Sequence, residues 1–187
     1  IILLALIMHE RSFDTFIPDH RNLYRIILGS NSLVNYPLAE SMKGDLPEVK
    51  DFFRYYHSNS VQLKTPENII VTGNNFGFAD PSLFRILGIE FISGTPANSV
   101  SEVAISDESA MTYFGNLSPL GEVIPVRFPE RFLQLTVSGV YKRFPSNSTL
   151  DPSFITDILL SEKMLMQFQR SLGDYGYDDK NARRKNR

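Results

Sequence analysis

Residues 80–123 decide the fold, and they read DPSLFRILGIEFISGTPANSVSEVAISDESAMTYFGNLSPLGEV. Two short helices and several short strands follow one another here in an order that no common enzyme motif shares. The order therefore indicates a structural signature rather than a catalytic one.

The first helix of this stretch has a recognisable start and end. Asp80 can cap it, and Pro81 suits its first turn, where the missing proline N–H costs nothing. Gly88 supplies the left-handed residue that ends the helix, and a strand over Ile89–Ile92 follows. The core face of this helix would carry Leu83, Phe84 and Leu87.

The second helix follows a short apolar strand, Val103–Ile105. Ser106 can cap this helix, and the two acidic residues after it suit the positive end of the helix dipole. Gly115 ends the helix, and Met111 and Phe114 are predicted to face the core.

The rest of the chain predicts further helices and strands. Pro37–Leu46 can form a helix that Pro47 closes. Leu133–Tyr141 alternates between apolar and polar residues, which is typical of a strand with one wet face. Ser161 would cap a last helix, which Gly173 ends. Additional strands are predicted over Leu23–Leu28, Phe52–Tyr56, Ile69–Thr72, Val123–Phe128 and Ile155–Leu160.

Composition narrows the classes of partner and chemistry. The 187 residues, of which 42% are hydrophobic, are enough for a packed core. A net charge of −2 and the lack of a basic stripe among the aromatics give no reason to expect a nucleic-acid partner. The sequence contains no cysteine, so disulfides and thiol chemistry are excluded.

The first eight residues, Ile1–Met8, are uninterruptedly apolar. A helix needs about 20 apolar residues to span a bilayer, so this run is too short to cross by itself. It is either the start of a buried element or the stub of a transmembrane helix that ends at His9, Glu10 and Arg11. A signal peptide fits poorly, because no basic region precedes the run and no small-residue cleavage site follows it.

The sequence offers no catalytic constellation. His9, His20 and His57 are far apart, and none has a second ligand at metal-binding spacing. No GxSxG elbow and no GxxxxGK[ST] phosphate loop occurs, so another domain or subunit would have to bind any ATP. The pair Asp178-Asp179 lies in a polar tail. We therefore predict no enzyme and no catalytic, cofactor-binding or metal-binding residue.

Aromatic residues crowd two predicted strands. Consecutive aromatics on a strand point to both faces of a sheet, so one of each pair is either covered by a second layer or exposed. The sequence leaves both readings open, a strand buried between layers and an exposed patch for a partner protein or lipid. The residues concerned are Phe52, Phe53, Tyr55 and Tyr56, with Phe76 and Phe78 on either side of Gly77.

Four segments in register resemble a known family: DPSLFRILGIEFISGTP (80–96), VAISDESAMTYFG (103–115), SPLGEVI (118–124) and LTVSGVYKRFPSNS (135–148). Together they resemble the extracytoplasmic core domain of bacterial ABC-transporter permeases related to the macrolide exporter and the cell-division protein FtsX. The segment SFDTFIPDHRNLYRI (12–26) is similar to the part that follows the first membrane helix in such permeases. The resemblance runs in consistent order from about residue 9 to 165.

The resemblance implies an α+β fold with two lobes. One lobe, of βαβ type, is built from both chain ends, and a β-rich lobe is inserted between them, with candidate linkers at residues 58–60 and 145–148. The polar tail departs from the family pattern and is either a solvated end or a contact for anionic lipid. We expect three segments along the chain: the end or stub of a transmembrane helix (1–10), a core domain (11–175) and a polar tail (176–187). Within the core domain, one lobe would comprise residues 20–58 and 150–175, and the inserted lobe residues 60–145.

The resemblance also implies a function without catalysis. The domain would belong to a permease subunit of the bacterial inner membrane, face the periplasm, and transmit ATP-driven conformational change for efflux, extrusion or partner activation. Its partners would be a cytoplasmic ATP-binding subunit, a second permease subunit, the membrane, and a periplasmic adaptor or substrate protein. The working part would be a rigid connection near Glu10–Phe16, where Phe13 and Phe16 are the candidates for coupling.

Two functions of other classes remain open on the sequence alone. A surface-exposed binding or adhesion module would recognise a ligand through the aromatic patch. A hydrolase with an unfamiliar site would need a pocket that unites His20 or His57 with a carboxylate and a nucleophile.

Overall fold

The computed structural model describes residues 10–27, 37–59, 61–65, 69–73, 75–128, 131–161 and 163. Within these residues the chain forms one mixed nine-stranded sheet, against which the helices Ser82–Leu87 and Asp107–Phe114 pack. This mixture confirms the predicted α+β class. The helices with both ends described are α1 (Leu38–Asp45), α2 (Ser82–Leu87) and α3 (Asp107–Phe114), and a short 3₁₀ helix covers His20–Asn22.

The strands are short except for one. They are β1 (Tyr55–Ser58), β2 (Val61–Lys64), β3 (Ile70–Gly73), β4 (Phe76–Ala79), β5 (Phe91–Gly94), β6 (Glu102–Ser106), β7 (Val123–Phe128), β8 (Arg131–Tyr141) and β9 (Phe154–Asp157). Their order in the sheet is β1-β4-β9-β6-β8-β7-β2-β3, and β5 also pairs with β8. The pairs β4–β9 and β6–β8 are parallel, whereas the other pairs are antiparallel.

The long strand β8 joins two parts of the sheet. Its first half, Arg131–Thr136, pairs with β7, and its second half pairs with β6 and with β5. We call β1, β4, β9, β6, β5 and the second half of β8 the central region. We call β7, β2, β3 and the first half of β8 the extension. The earlier assignment of residues to two lobes stays a prediction.

Both faces of the central region are covered. Strand residues alternate between two apolar clusters, so that Val103 and Ile105 join the first cluster and Ala104 joins the second. Helix α3 contributes Ala110 to the first cluster. The second cluster receives the apolar side of α2 and the N-terminal residue Ile17, and its buried members are Ile17, Ala79, Leu83, Phe84, Leu87, Ala104, Tyr141, Phe144 and Ile155.

The extension is buried on one face. Leu63 and Val126 are fully buried in the first cluster, whereas the next residue in each strand, Lys64 and Arg127, reaches solvent at least in part. Alternation of this kind is typical of an antiparallel sheet with a single packed side. Strand β8 follows the predicted alternation from Leu133 to Val137. A register shift after Val137 then breaks the pattern, so that Val140 lies in the first cluster and Tyr141 in the second, and the prediction of one wet face is wrong for this half of the strand.

Several predicted helix ends are confirmed in atomic detail. The Ser106 hydroxyl accepts a hydrogen bond from the Ser109 N–H at 3.1 Å, which caps α3. Gly88 and Gly115 follow α2 and α3 with φ of 68° and 67°, the left-handed conformation that ends a helix without strain at glycine. Helix α1 begins after Pro37, as its sequence indicates.

Other local predictions are wrong, and each has a physical cause. Asp80 does not cap α2 with its side chain, because its carboxylate accepts hydrogen bonds from the Arg54 backbone and guanidinium. Ser161 does not cap the last helix. That helix begins at residue 158, where Asp157 Oδ1 accepts the Leu159 N–H at 2.8 Å. Met111 is half exposed rather than in the core.

The first strand of the predicted βαβ unit is also absent from the described residues. Residues 23–27 have no regular secondary structure, and Leu28 lies outside the described part. Leu23, Tyr24 and Ile27 are exposed, and a strand gains stability only by pairing with a neighbour. Four other strands are displaced by one or more residues: they are found at Tyr55–Ser58, Ile70–Gly73, Phe91–Gly94 and Phe154–Asp157.

Candidate functional site

The candidate site is the place where the start of the described chain joins the domain. Residues 12–18, which we call the N-terminal segment, lie against the loop of residues 142–151 and against α2. This segment overlaps the connection at Glu10–Phe16 that the sequence predicted. Its attachment has an apolar part and a hydrogen-bonded part.

The apolar part is centred on Ile17. Its side chain is only 5% exposed and packs in the second cluster with α2 residues such as Phe84. Phe16 is partly buried against the same cluster, whereas Phe13 remains 38% exposed. Of the two phenylalanines expected to couple the segment to the domain, Phe16 thus has the closer contact with the core.

Pro18 completes the apolar part by packing on the end of α2. A Cβ atom placed on Gly88 would lie 2.8 Å from the Cγ and Cδ atoms of Pro18. That distance is too short for any side chain, so glycine is required here both for its left-handed backbone and for the close approach of the proline ring.

The hydrogen-bonded part joins the segment to the loop, and we call it the clasp. The Asp14 N–H donates to the Asn147 carbonyl oxygen at 2.9 Å, and the Asn147 side-chain amide donates to the Ser12 carbonyl oxygen at 2.6 Å. The Thr149 N–H donates to Asp14 Oδ1 at 2.9 Å, and the Thr149 hydroxyl donates to the other carboxylate oxygen. Four hydrogen bonds therefore connect residues about 135 positions apart in sequence.

The loop that receives the segment is itself tied to α3. The Arg143 guanidinium donates to both carboxylate oxygens of Asp151, at 3.3 Å and 2.9 Å, and to Glu108. The Arg143 N–H donates to Asp107 Oδ1 at 3.0 Å. The hydrogen bond to Asp151, with the charges of that group and of Glu108, raises the pKa of Arg143. Arg143 therefore stays cationic and bridges the loop and the first turn of α3.

A buried tyrosine anchors the loop from below. Tyr141 is completely buried, and its hydroxyl donates to the Pro152 carbonyl oxygen at 2.7 Å. Burial raises the pKa of Tyr141 well above its ordinary value. Because this hydroxyl is neutral and paired, it serves as a structural anchor rather than an acid or base.

The histidines considered as catalytic candidates do not converge. His20 lies exposed in the 3₁₀ helix, and His57 is exposed on β1, where it stacks on Tyr55 with ring centroids 6.2 Å apart. His9 and the pair Asp178-Asp179 lie outside the described residues. In the described part of the chain, no three histidine, aspartate or glutamate side chains are placed to hold a metal ion.

A groove of about 480 Å³ lies at the C-terminal end of α3. Tyr113, Ser118 and Glu122 are among its lining residues, and burial raises the pKa of Tyr113. The lining includes Ser118 but no histidine, so the groove does not unite a nucleophile with His20 or His57 as the hydrolase hypothesis requires.

The aromatic residues that raised the question of a binding patch are mostly covered. Phe76 and Phe78 are fully buried in the first cluster, and Phe53 and Tyr55 pack against the second. Tyr56 is 46% exposed and touches Phe78, with ring centroids 5.8 Å apart. The reading of strands buried between layers is therefore the one that fits most of this set.

Known proteins show which family this chain belongs to. The family of MacB-like periplasmic core domains matches the chain over residues 1–180. The chain belongs to this family. The match confirms the resemblance drawn from the sequence, and it places the chain in a family of transporter permease domains rather than in a class of enzymes. No curated protein matches the chain.

Three solved structures are similar to this MacB-like domain. A domain assigned to a permease protein of Porphyromonas gingivalis is 19% identical with a TM-score of 0.57, and the match covers 65% of this chain and 52% of that one. The periplasmic region of MacB from Actinobacillus actinomycetemcomitans is 17% identical (TM-score 0.47; 65% and 54%). The extracellular domain of the noncanonic ABC-type transporter YknZ from Gram-positive bacteria is also 17% identical (TM-score 0.48; 66% and 64%).

The similarity to the first of these structures supports the fold. The match spans less than two thirds of the length of each of the three solved chains. Within the described residues of the MacB-like domain, no helix is both long and apolar enough to cross a membrane. The apolar run Ile1–Met8 lies outside those residues.

The connection that the family resemblance implies overlaps the attachment described here, but its coupling role stays a prediction. The sequence pointed to residues 10–16 through the family resemblance and to Pro145–Ser148 only as a linker. Asp14, Asn147 and Thr149 were missed, because polar residues in turn-rich segments carry no signal of a partner about 135 residues away. Arg143 was missed for the same reason.

Proposed function

We propose that this chain is the extracytoplasmic domain of an ABC-transporter permease subunit and that it transmits ATP-driven movement of membrane helices. In this proposal the N-terminal segment receives the movement, and the domain moves with it as one piece. The observation that carries the proposal is the double attachment of the segment, through buried Ile17 and through the clasp at Asp14.

The described packing supports such a role because force is transmitted without loss only through parts that do not yield. Ile17 lies in an apolar cluster that also holds α2 and strands of the central region. The loop beneath the clasp is fixed to α3 by Arg143 and to the chain after it by Tyr141. A displacement of the segment would therefore reach the sheet through close contacts rather than through a hinge.

The proposed partners follow from the family and not from a docking surface. They are a cytoplasmic ATP-binding subunit, a second permease subunit in a dimer, and the membrane into which residues 1–10 would lead. A periplasmic adaptor or substrate protein is a further proposed partner. The proposed location is the bacterial inner membrane, with this domain on the periplasmic side.

The experiment follows the distance between two copies of the domain in the full permease, assembled with its ATP-binding subunit in lipid. These 187 residues contain no cysteine, so Asn116→Cys places one spin label on each copy once any cysteine elsewhere in the assembly has been replaced. We expect the label distance to change on ATP binding. An unchanged distance in a permease that hydrolyses ATP would contradict transmission.

Two variants then test the route of transmission. We expect Phe16→Ala to reduce the ATP-dependent change in label distance, because it removes packing between the segment and the second cluster. The matched control is Phe132→Ala on the extension, a phenylalanine that is 36% exposed and remote in sequence from the segment. Equal loss in both variants would show that the effect comes from general destabilisation and not from the junction.

A further inference from the structure

Asp14 has an unusual backbone conformation. Its φ of 57° places it in the left-handed region, and among the described residues other than glycine only Asn75 shares this feature, with φ of 58°. Residues with a Cβ atom disfavour this region, although Asp and Asn tolerate it best. A residue persists there when the surrounding structure holds it in place, and such residues are concentrated at functional sites.

The surroundings hold Asp14 through every polar group it has. Its N–H donates to the Asn147 carbonyl oxygen at 2.9 Å, and its own carbonyl oxygen accepts the Ile17 N–H at 3.2 Å. Its two carboxylate oxygens accept the Thr149 N–H and the Thr149 hydroxyl. The carboxylate is thus the part of Asp14 that reaches across to the loop with two hydrogen bonds.

Asp14 also stands at a boundary within the segment. On one side lie the exposed residues Glu10, Arg11 and Phe13, and on the other lies buried Ile17. Packing of Ile17 fixes where the segment touches the domain. It does not fix the direction of residues 10–13, because the backbone between them and Ile17 has several rotatable bonds. The left-handed turn and the carboxylate bonds at Asp14, together with the Asn147 bond to the Ser12 carbonyl oxygen, remove that freedom.

We propose that Asp14 is the positioning residue that fixes the direction in which residues 10–13 leave the domain. This direction matters for function only if the proposed function is correct, because in that proposal residue 10 continues toward a membrane helix. The direction of residues 10–13 is set by the Asp14 carboxylate, which Thr149 holds, rather than by the apolar contacts of Phe16 and Ile17.

The test measures the distance between spin labels at Glu10→Cys and Thr112→Cys in the 187-residue chain, by double electron–electron resonance. Both positions are exposed, and Thr112 lies on α3, whose residues make none of the four hydrogen bonds of the clasp. The chain with Asp14 intact should give one narrow distance distribution. Asp14→Gly keeps access to the left-handed backbone but removes the carboxylate, and it should give a broad distribution.

Asn75→Gly is the matched control, because it makes the same backbone change at the second left-handed residue. We expect this control to leave the distribution narrow. Thr149→Val removes one of the two bonds to the carboxylate and should broaden the distribution less than Asp14→Gly. Amide exchange at Thr149 should accelerate about tenfold in Asp14→Gly, the usual effect of losing one hydrogen bond to a charged group.

A narrow distribution in Asp14→Gly, with near-ultraviolet circular dichroism showing a folded chain, would overturn the proposal. Equal broadening in Asn75→Gly would also overturn it, since the effect would then come from a general loosening of the domain. These measurements use no ATP and no membrane partner. A narrow distribution in Asp14→Gly therefore contradicts the role of Asp14, whereas an unchanged label distance in the ATP experiment contradicts the proposed function.

Discussion

The central region and the extension of the sheet share one long strand but are stabilised differently. In the central region, strands carry apolar residues on both faces, and α2, α3 and Ile17 cover them. In the extension, Leu63 and Val126 are buried on one face while alternate residues face solvent. Buried apolar area is the main favourable term in folding, so the two regions should differ in local stability.

The difference also indicates which part suits the attachment of a moving segment. The N-terminal segment joins the doubly covered region, where Phe84, Phe91 and Tyr141 pack ring against ring with centroids 4.7 to 6.1 Å apart. None of the contacts described for the segment is made with a strand of the extension. Under the proposed function, force would enter the domain at its better-packed side.

The largest expected effect comes from Phe84→Ala. Phe84 is 4% exposed and lies beneath the N-terminal segment, between Phe91 and Tyr141. Removing a buried ring of this kind lowers the free energy of unfolding by about 3–5 kcal/mol. Urea denaturation measures the loss, and Phe132→Ala, at a 36% exposed position, should cost less than about 1 kcal/mol. Comparable losses in the two variants would contradict the distinction between the regions.

The next effect should be confined to the extension. Leu63 is fully buried, and Leu63→Ala should cost about 2–3 kcal/mol in the local stability of β2, β3 and β7. Hydrogen exchange measures this loss strand by strand. We expect faster exchange in the extension with little change in β6 and β9, whereas Val103→Ala should accelerate exchange throughout. Uniform acceleration in Leu63→Ala would show that the sheet opens as one unit.

The sequence predicted local structure in both regions better than it predicted their arrangement. The cap at Ser106 and the glycine ends at Gly88 and Gly115 depend on neighbouring residues, so the pattern was sufficient. Asp80 has the same local pattern, but Arg54, 26 residues earlier, binds its carboxylate. A contact over that distance leaves no periodic trace in one sequence.

The order of the strands was equally hidden. Val103–Ile105 was recognised as a strand, but nothing in it reveals that it pairs with both β8 and β9. The candidate site followed the same rule. Its position came from the family resemblance, whereas the clasp between Asp14 and Thr149 could emerge only from the folded chain.

Alkaline pH should destabilise the central region before the extension. Burial, with a smaller contribution from Asp151, raises the pKa of Tyr55 to about 12 from the value of 10.0 for an exposed tyrosine. The folded state therefore favours the neutral form, so this stability is complete below pH 10 and is lost as the pH rises from 10 to 12. Each pKa unit is worth about 1.4 kcal/mol, so the loss should reach roughly 2–3 kcal/mol, and it should act on the central region, which contains β1.

Hydrogen exchange and circular dichroism between pH 9 and 12 measure this loss of stability. Tyr55→Phe should make the alkaline transition shallower, while the deeply buried Tyr141 preserves part of it. The extension has no tyrosine in its strands β7, β2 and β3. An alkaline transition that begins in the extension would therefore contradict the assignment to Tyr55.

The smallest expected effect is the loss of one helix cap on the central region. Ser106→Ala removes the hydroxyl that accepts the Ser109 N–H, and it also removes the donor to the Ser109 hydroxyl. We expect a loss of about 1 kcal/mol, since α3 keeps its packing through Ala110 and its link to Arg143. Thermal unfolding measures the loss, and Ser106→Thr should restore most of it because threonine also caps helices. If Ser106→Ala costs as much as Phe84→Ala, the cap of α3 on the first cluster contributes as much free energy of unfolding as a buried ring in the second cluster, and the expected order of effects is wrong.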